Sequence, residues 1–253
     1  MRVKRKEEGL GPLIGRPGGK SRIAKKIVEL MPEHEVYVEP MVGGGSVFFN
    51  KPPAKKEVVG DADKDLMELW KAAKEGAKCQ VTVRSQEEFR RLLERGPKDH
   101  CDIAAKIRCS FGNMGNGPSR EANYPCKVNW PTPKHVERLR NTIIEVGDFE
   151  ETMKKYDGPK TLHYLDLPYY GTNNDGYPEG LREMDPARVK RVADEVKGHV
   201  IISYNDHPHV RKLFCSDKGY KCITVPSPVS LCSKGFCGTR RDLIIVKKAG
   251  EKG

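Results

Sequence analysis

A chain of 253 residues is long enough for one sizeable globular domain, or for a domain that carries one insertion. Its 46 lysines and arginines exceed its 35 aspartates and glutamates, and the net charge of +11 favours a polyanionic partner, with nucleic acid ahead of an anionic membrane. No apolar run approaches the roughly 18 residues of a membrane helix, and the first residues lack the apolar run of a signal peptide, so we expect a soluble, intracellular protein without a membrane partner.

The elements in chain order predict an α/β fold, because short runs rich in β-branched residues alternate with amphipathic stretches. The first part of the chain contains a helix after the expected cap Ser21, a strand over residues 35–39, a glycine turn over residues 43–45, a second strand that ends in Asp61, and a helix with Leu66, Leu69 and Trp70 on one side.

The alternation breaks between about residues 76 and 140, where charge clusters and the turn-rich segment 111–118 interrupt it. We interpret residues 76–140 as an inserted subdomain, residues 11–75 and 141–248 as the main domain, and residues 1–10 as a basic tail. The alternation resumes with a strand over residues 142–146, a strand over 162–165, a helix capped by Asp185 with Pro186 in its first turn, and strands over 199–203, 220–225 and 242–246.

The eight cysteines include no C-x-x-C pair, and we expect them to be reduced thiols. The less favoured alternative is a zinc site built from the last four, which lack the short chelating pairs of such sites: Cys215, Cys222, Cys232 and Cys237. We therefore expect no metal ion.

Acidic residues follow the predicted strands at the edge where open α/β sheets bind nucleosides. Gly43 and Gly45 suit a turn that lets a ligand approach the backbone, and Asp61 can accept hydrogen bonds from both hydroxyls of a ribose. Asp148 follows the third strand and can accept a hydrogen bond from an adenine amine, although Gly147-Asp148 is also an ordinary turn.

The strongest feature is the segment Asp166-Leu167-Pro168-Tyr169, directly after a hydrophobic strand. A carboxylate and a backbone carbonyl at this edge can both accept hydrogens from an exocyclic amine, and an aromatic ring can stack on an extruded base. This combination favours methylation of a base amine.

Residues 38–48 resemble the cofactor motif F-x-E-P-F-x-G-x-G-x-V-F of Dam-type N6-adenine DNA methyltransferases, and residues 166–169 resemble their catalytic motif D-P-P-Y. The resemblance covers about residues 11–248 and includes Gly18-Gly19-Lys20, Asp61 with Asp65-Leu66, Gly147-Asp148-Phe149, residues 203–206 with 210–213, and residues 238–241. It implies a Rossmann-like, class I S-adenosylmethionine methyltransferase sheet, with the insertion as the subdomain that recognises DNA.

The resemblance also implies roles for individual residues. The expected cofactor-binding set is Lys20, Glu39, Pro40, Gly43, Gly44, Gly45, Asp61, Asp148, Phe149 and Asp166, with Lys20 and the turn along the methionine part, Asp61 at the ribose, and Asp148 and Phe149 at the adenine. Asp166 and the Leu167 carbonyl would accept the two hydrogens of the target amine, Pro168 would stiffen the motif, and Tyr169 would stack on the flipped adenine. The expected DNA-binding residues of the insertion are Arg108, Asn113, Arg120, Asn123 and Lys127.

One position departs from the family pattern, because Leu167 stands where the motif has proline. Without the fixed φ of proline the carbonyl is expected to be less well aimed, and Leu167→Pro is expected to raise turnover by up to about a hundredfold. This departure keeps open a non-catalytic DNA-binding protein with the same fold, and a cytosine-N4 enzyme is a further alternative.

Two other interpretations are weaker. A phosphate loop over residues 15–21 is one residue short of its pattern, and a cytosine-C5 nucleophile at Pro125-Cys126 lies far from the strand edges. We therefore expect site-specific adenine-N6 methylation of double-stranded DNA, with S-adenosylmethionine as cofactor and a restriction endonuclease of the same specificity as a candidate partner.

Overall fold

The computed structural model describes residues 9–172, 184–228 and 239–250. Its helices and strands in chain order are α1 (Ala24–Glu29), β1 (Val36–Glu39), β2 (Lys56–Asp61), α2 (Lys64–Lys74), β3 (Cys79–Val83), α3 (Gln86–Arg95), α4 (His100–Arg108), β4 (Cys126–Trp130), α5 (Pro133–Leu139), β5 (Ile143–Val146), α6 (Phe149–Lys155), β6 (Thr161–Asp166), α7 (Pro186–Glu195), β7 (His199–Asn205), α8 (Pro208–Val210), β8 (Lys221–Pro228) and β9 (Thr239–Lys247). Short 3₁₀ turns occur at Phe111–Asn113 and Glu121–Asn123, and a π-helical turn at Arg211–Cys215 follows α8.

Seven strands form one sheet in the order β5-β2-β1-β6-β7-β9-β8. The first five run parallel, and β9 lies antiparallel between β7 and β8. The prediction of a Rossmann-like α/β sheet is confirmed. Within the described residues, no helix is both long and apolar enough to span a bilayer.

Both faces of the sheet are covered, because successive side chains of a strand point to opposite faces. On β7, Ile201 packs into a first cluster with α1 and α2, whereas Val200 and Ile202 pack into a second cluster with α6 and α7. Parallel strands buried in this way leave the edge at their carboxyl ends as the place for a ligand.

The helix starts were predicted with mixed success. Asp185 caps α7 as expected, with its carboxylate accepting a hydrogen bond from the Ala187 amide at 2.9 Å and Pro186 in the first turn. The prediction for Ser21 is wrong, because α1 begins at Ala24 without a side-chain cap. The Ser21 hydroxyl instead lies 3.0 Å from the Ser46 hydroxyl, which ties the N-terminal segment to the glycine turn.

The segment interpreted as an insertion contains a separate two-stranded antiparallel sheet of β3 and β4, with α3 and α4 between them in the chain. Phe89 and Ile103 pack into the first cluster, so this segment shares its core with the main sheet. Trp130 reaches the N-terminal segment, where its indole donates to the Leu13 carbonyl at 2.9 Å. The division at residues 76–140 stays a prediction.

The expectation of reduced cysteines is wrong for six of the eight. Cys79 pairs with Cys101, Cys109 with Cys126, and Cys215 with Cys222, at Cα separations of 5.3, 5.8 and 5.6 Å. The packing of α4 against β3 and β4 brings together cysteines that are 22 and 17 residues apart, which spacing in the sequence does not reveal.

The pairing also bears on two alternatives from the sequence. Cys215 and Cys222 bond to each other, so they are unavailable for the proposed zinc site, and Cys126 is unavailable as a free nucleophile. Some of the positions considered in the sequence lie outside the described residues: Cys232, Cys237, Gly238 and the basic tail up to residue 8.

Candidate active site

A pocket opens at the carboxyl ends of β1, β2 and β6. Each of these strands ends in an acid that lines it: Glu39, Asp61 and Asp166. The predicted glycine turn, residues 43–45, lines it as well. Acids that converge from three neighbouring strands at the carboxyl edge of an open α/β sheet are suited to a nucleoside ligand.

The glycine turn gives the pocket its close backbone wall. Gly43 has φ +50° and Gly45 has φ +73°, values that residues other than glycine rarely adopt. A Cβ at Gly45 would lie 2.6 Å from the Trp70 ring, whereas a Cβ at Gly43 would meet no atom within 4 Å. Gly45 is therefore required for packing against α2, and Gly43 leaves space open for a ligand.

Asp61 is oriented by the backbone around it. One carboxylate oxygen accepts from the Gly43 amide and the other from the Asp63 amide, both at 3.0 Å. Burial raises the pKa of this carboxyl, and the side chain is 8% exposed. Since a carboxylate offers about four acceptor positions, Asp61 retains capacity for ribose hydroxyls.

Glu39 is the most deeply buried of the three acids, with 2% of its surface exposed. The Tyr37 hydroxyl donates to its carboxylate at 2.7 Å. Burial, together with the nearby Asp166 carboxylate, raises the pKa of Glu39 to about 8. The sequence marks Glu39 as part of a cofactor motif but does not reveal this shift, which depends on burial.

Asp166 forms an ion pair with Lys20, whose ammonium lies 2.5 Å from Oδ1. Lys20 is 4% exposed and also donates to the Gly18 carbonyl at 2.9 Å. The structure thus places Lys20 against Asp166, the first residue of the predicted catalytic motif, and not in the lining of the pocket. Its predicted contact with the methionine part of the cofactor stays a prediction.

The remaining residues of the catalytic motif, Leu167, Pro168 and Tyr169, are buried. The Leu167 amide donates to the Ser203 carbonyl at 3.3 Å, and its side chain, 2% exposed, packs in the second cluster. Two contacts therefore restrain Leu167 at the place where the family motif has proline.

Tyr169 is held by a residue that sequence reasoning missed. Its hydroxyl donates to the Asp242 carboxylate at 2.8 Å, and Asp242 is fully buried on β9. The Lys20 ammonium lies 5.0 Å from the centre of the Tyr169 ring. The only signal in the sequence was an acid at the start of an apolar strand, residues 242–246.

The next residue, Tyr170, is also fixed through β7. The Asn205 amide side chain accepts from the Tyr170 amide at 3.0 Å and donates to its carbonyl at 2.9 Å. The Tyr170 ring stacks on His209 and meets His207 edge-on, with ring centres 5.0 and 4.9 Å away. The family resemblance at residues 203–206 indicated the end of β7 but not the hydrogen bonds between Asn205 and Tyr170.

Asp148 and Phe149 lie outside the lining of the pocket. Asp148 caps α6 by accepting from the Glu150 amide at 2.9 Å, and it also accepts from the Arg188 guanidinium at 2.7 Å. Phe149 is buried in the second cluster beneath the same guanidinium. Pro40 is buried beside Glu39. The roles predicted for these residues at the cofactor stay predictions.

Three of the predicted DNA-binding residues lie within the loop that the Cys109–Cys126 disulfide closes, and Arg108 and Lys127 directly flank it. The Arg108 guanidinium donates to the Lys127 carbonyl at 3.3 Å, which places the two ends of this segment side by side. Four of the five predicted residues are exposed: Arg108, Arg120, Asn123 and Lys127.

The fifth residue, Asn113, is half-buried with φ +59°. Its side-chain nitrogen, Nδ2, would lie 2.5 Å from a Cβ added at Gly15. Gly15 directly precedes Arg16, which lines the pocket. The turn that contains Asn113 therefore lies beside the pocket.

The sheet, its glycine turn and its strand-ending acids define a Rossmann-like methyltransferase that uses S-adenosylmethionine. The model of the D12 class N6 adenine-specific DNA methyltransferases matches residues 17–100 and 119–227. The chain belongs to this family.

Two curated relatives are type II methyltransferases. M.MjaIII of Methanocaldococcus jannaschii is 26% identical over 204 residues, which cover 64% of this chain and 70% of that protein. M1.LlaDCHI of Lactococcus lactis subsp. cremoris is 26% identical over 243 residues, which cover 81% of this chain and 84% of that protein.

Among solved structures, precorrin-6y C5,15-methyltransferase from Geobacter metallireducens matches with a TM-score of 0.42 and 11% identity, over 95% of this chain and 100% of that one.

Proposed function

We propose that this protein is a site-specific DNA methyltransferase that methylates N6 of an adenine flipped out of double-stranded DNA. The observation that carries the proposal is that Asp166, the first residue of the catalytic motif, lines the same pocket as the glycine turn and Asp61. A methyl donor seated on the turn would lie next to the group that receives the target amine.

When bound, S-adenosylmethionine supplies a methyl group activated by a sulfonium. The Asp166 carboxylate accepts one hydrogen of the adenine amine, and the Leu167 carbonyl accepts the other, which directs the nitrogen lone pair toward the methyl group. Lys20 holds Oδ1 of Asp166 in place. Tyr169 supplies the ring for stacking, with its orientation set by Asp242.

The DNA interface is proposed for the insertion. The net charge of +11 and the exposed Arg108, Arg120 and Lys127 favour contacts with phosphates, while Asn123 can also reach base edges. The turn with Asn113 lies near the rim of the pocket, which suits a segment that places the target base. Because the two curated relatives are type II methyltransferases, a restriction endonuclease of the same specificity is the partner we propose.

The test is to incubate the protein with unmethylated plasmid and cofactor tritiated in the methyl group, digest the DNA and identify the labelled nucleoside. We expect label in N6-methyladenine. Label in N4-methylcytosine would transfer the proposal to the cytosine alternative, and DNA binding without label would favour the non-catalytic alternative.

The matched variants are Asp166→Ala and Glu29→Gln. Asp166→Ala removes the acceptor of the target amine and should abolish labelling while the cofactor still binds, because Asp61 and the glycine turn remain. Glu29→Gln changes an exposed acid on α1 and should label as the parent does. Comparable turnover in Asp166→Ala would show that the catalytic motif has been misassigned.

A further inference from the structure

The described lining of the pocket contains three carboxyl groups and one basic side chain, Arg16, which pairs with Asp63. Of the three carboxyl groups, Asp166 is paired with Lys20 and Asp61 is held by two backbone amides. Glu39 receives hydrogen bonds from the Tyr37 hydroxyl and the Phe48 amide, both neutral donors. Lys51, a cation that acts on Glu39, is itself paired with Glu57 at 2.6 Å.

We propose, on the basis of the proposed function, that Glu39 is a charge-matching residue: it is protonated in the empty pocket and releases its proton to solvent when the positively charged cofactor enters. The carboxyl O–H bond breaks, the proton passes to a buffer base, and the carboxylate stays in the pocket opposite the cofactor. Cofactor uptake is thereby coupled to release of a proton.

Burial provides the first half of the argument. A carboxyl with 2% of its surface exposed loses the hydration that stabilises its charge, and the neighbouring Asp166 carboxylate opposes a second negative charge. With a pKa of about 8, Glu39 is mostly protonated near neutral pH. The Tyr37 hydroxyl keeps the group oriented in either state because it donates to an acceptor oxygen.

The charge of the ligand provides the second half. S-adenosylmethionine carries a sulfonium and an ammonium against one carboxylate, and an opposite charge within about 4–6 Å lowers a carboxyl pKa by roughly one to three. Such a change lowers the pKa of Glu39 from about 8 to between about 5 and about 7. After methyl transfer the product has lost the sulfonium charge, so its binding stabilises ionised Glu39 less, and the pocket discriminates against product.

Several other groups face Glu39, and their protonation must be distinguished from that of Glu39. They are Tyr37 on its own strand, Tyr164 and Asp166 on β6, Lys20 on Asp166, Lys51 with Glu57, Asp61 across the pocket, and Arg16, which lines the pocket and pairs with Asp63. Asp61 is the main competitor, because burial raises the pKa of its carboxyl too. Its two amide donors oppose that effect by stabilising the ionised form.

The experiment is calorimetric titration of S-adenosylmethionine at pH 6.5 in buffers with different ionisation enthalpies, since the slope of observed against buffer enthalpy counts protons released. The cofactor's own amine also titrates, so the measurement is the difference between parent and Glu39→Gln. Glutamine keeps the shape of the side chain and an acceptor for Tyr37. We expect the parent to release more protons than Glu39→Gln, by up to about one per cofactor bound, and Asp61→Asn to release as many as the parent.

Three outcomes would overturn the inference. Equal release in parent and Glu39→Gln, with both binding cofactor, would show that Glu39 does not change its protonation state. Loss of release in Asp61→Asn alone would assign the proton to Asp61. Absence of cofactor binding in the parent would remove the proposed function as well, so the two failures are distinguishable.

A second measurement needs no variant. In the parent protein, the ratio of the product Kd to the cofactor Kd should rise between pH 6 and pH 7.5, by up to about tenfold per pH unit, because only the cofactor fully displaces the proton. A ratio that is flat across this range would also overturn the inference. In a folded Glu39→Gln variant, the ratio of the product Kd to the cofactor Kd should not change across this pH range.

Discussion

Leu167 offers a test in which the sequence and the structure lead to opposite expectations. From the motif alone, Leu167→Pro should aim the carbonyl better and raise turnover by up to about a hundredfold. In the structure, the Leu167 amide bonds to Ser203 and the side chain is 2% exposed in the second cluster. Since position 167 is already restrained, we expect the single-turnover rate of Leu167→Pro to stay within about threefold of the parent.

The cost to stability follows from the same two contacts. Proline removes the amide donor, worth about 0.5–1.5 kcal/mol, and part of the leucine side chain, worth about 1–3 kcal/mol. Proline also restricts the unfolded chain, which raises the free energy of unfolding by about 0.4–1 kcal/mol. The net loss of about 0.5–4 kcal/mol should lower Tm by roughly 1–16 °C for a chain of this size.

The assay is single-turnover methylation of one duplex at saturating cofactor, well below the Tm of every variant, beside thermal unfolding. Leu167→Ala is the control, because it removes packing but keeps the amide that donates to Ser203. It should be destabilised by about 2–5 kcal/mol and still methylate at a rate near that of the parent. A rate at least tenfold above the parent in Leu167→Pro would refute the reasoning from the structure and restore the expectation from the motif.

Three further predictions concern the rest of the site. Asp61→Ala should weaken cofactor binding by about 1.5–3 kcal/mol in a calorimetric titration, and an unchanged affinity would remove Asp61 from the cofactor site. In a plot of log DNA affinity against log salt concentration, the slope should be about −0.9 for each phosphate contact. Arg108→Ala and Lys127→Ala should each reduce the magnitude of the slope by about 1. A flat plot for the parent would contradict the electrostatic interface. Asp242→Asn should lower the free energy of unfolding by about 1.5–3 kcal/mol and slow methylation without changing cofactor affinity, because Tyr169 loses a charged acceptor; an unchanged Tm and rate would show that this hydrogen bond does not position the ring.

The sequence was sufficient for the elements that build the cofactor edge. Runs of β-branched residues and turn residues are local signals, and the predicted strands before Glu39, Asp61 and Asp166 were confirmed within a few residues. Since parallel strands end at one edge of a sheet, naming the strands was enough to expect that these three acids converge.

Local pattern did not determine which side chains from distant segments meet. The Lys20–Asp166 ion pair joins residues 146 positions apart, and the Tyr169–Asp242 hydrogen bond joins residues 73 apart. The second contact exists because β9 returns antiparallel on the far side of β7, a choice of strand neighbour that no short stretch of sequence specifies.

The sequence by itself determined the α/β class, the order of its elements and the acids at their ends, because these follow from residue periodicity and strand direction. Tertiary structure alone decided that the cysteines pair, that Asp148 caps α6 and binds Arg188, and that Glu39 is buried beside Asp166. The physical reason is that disulfides, ion pairs and pKa values depend on distances and burial, and both are set by how the helices pack on the sheet.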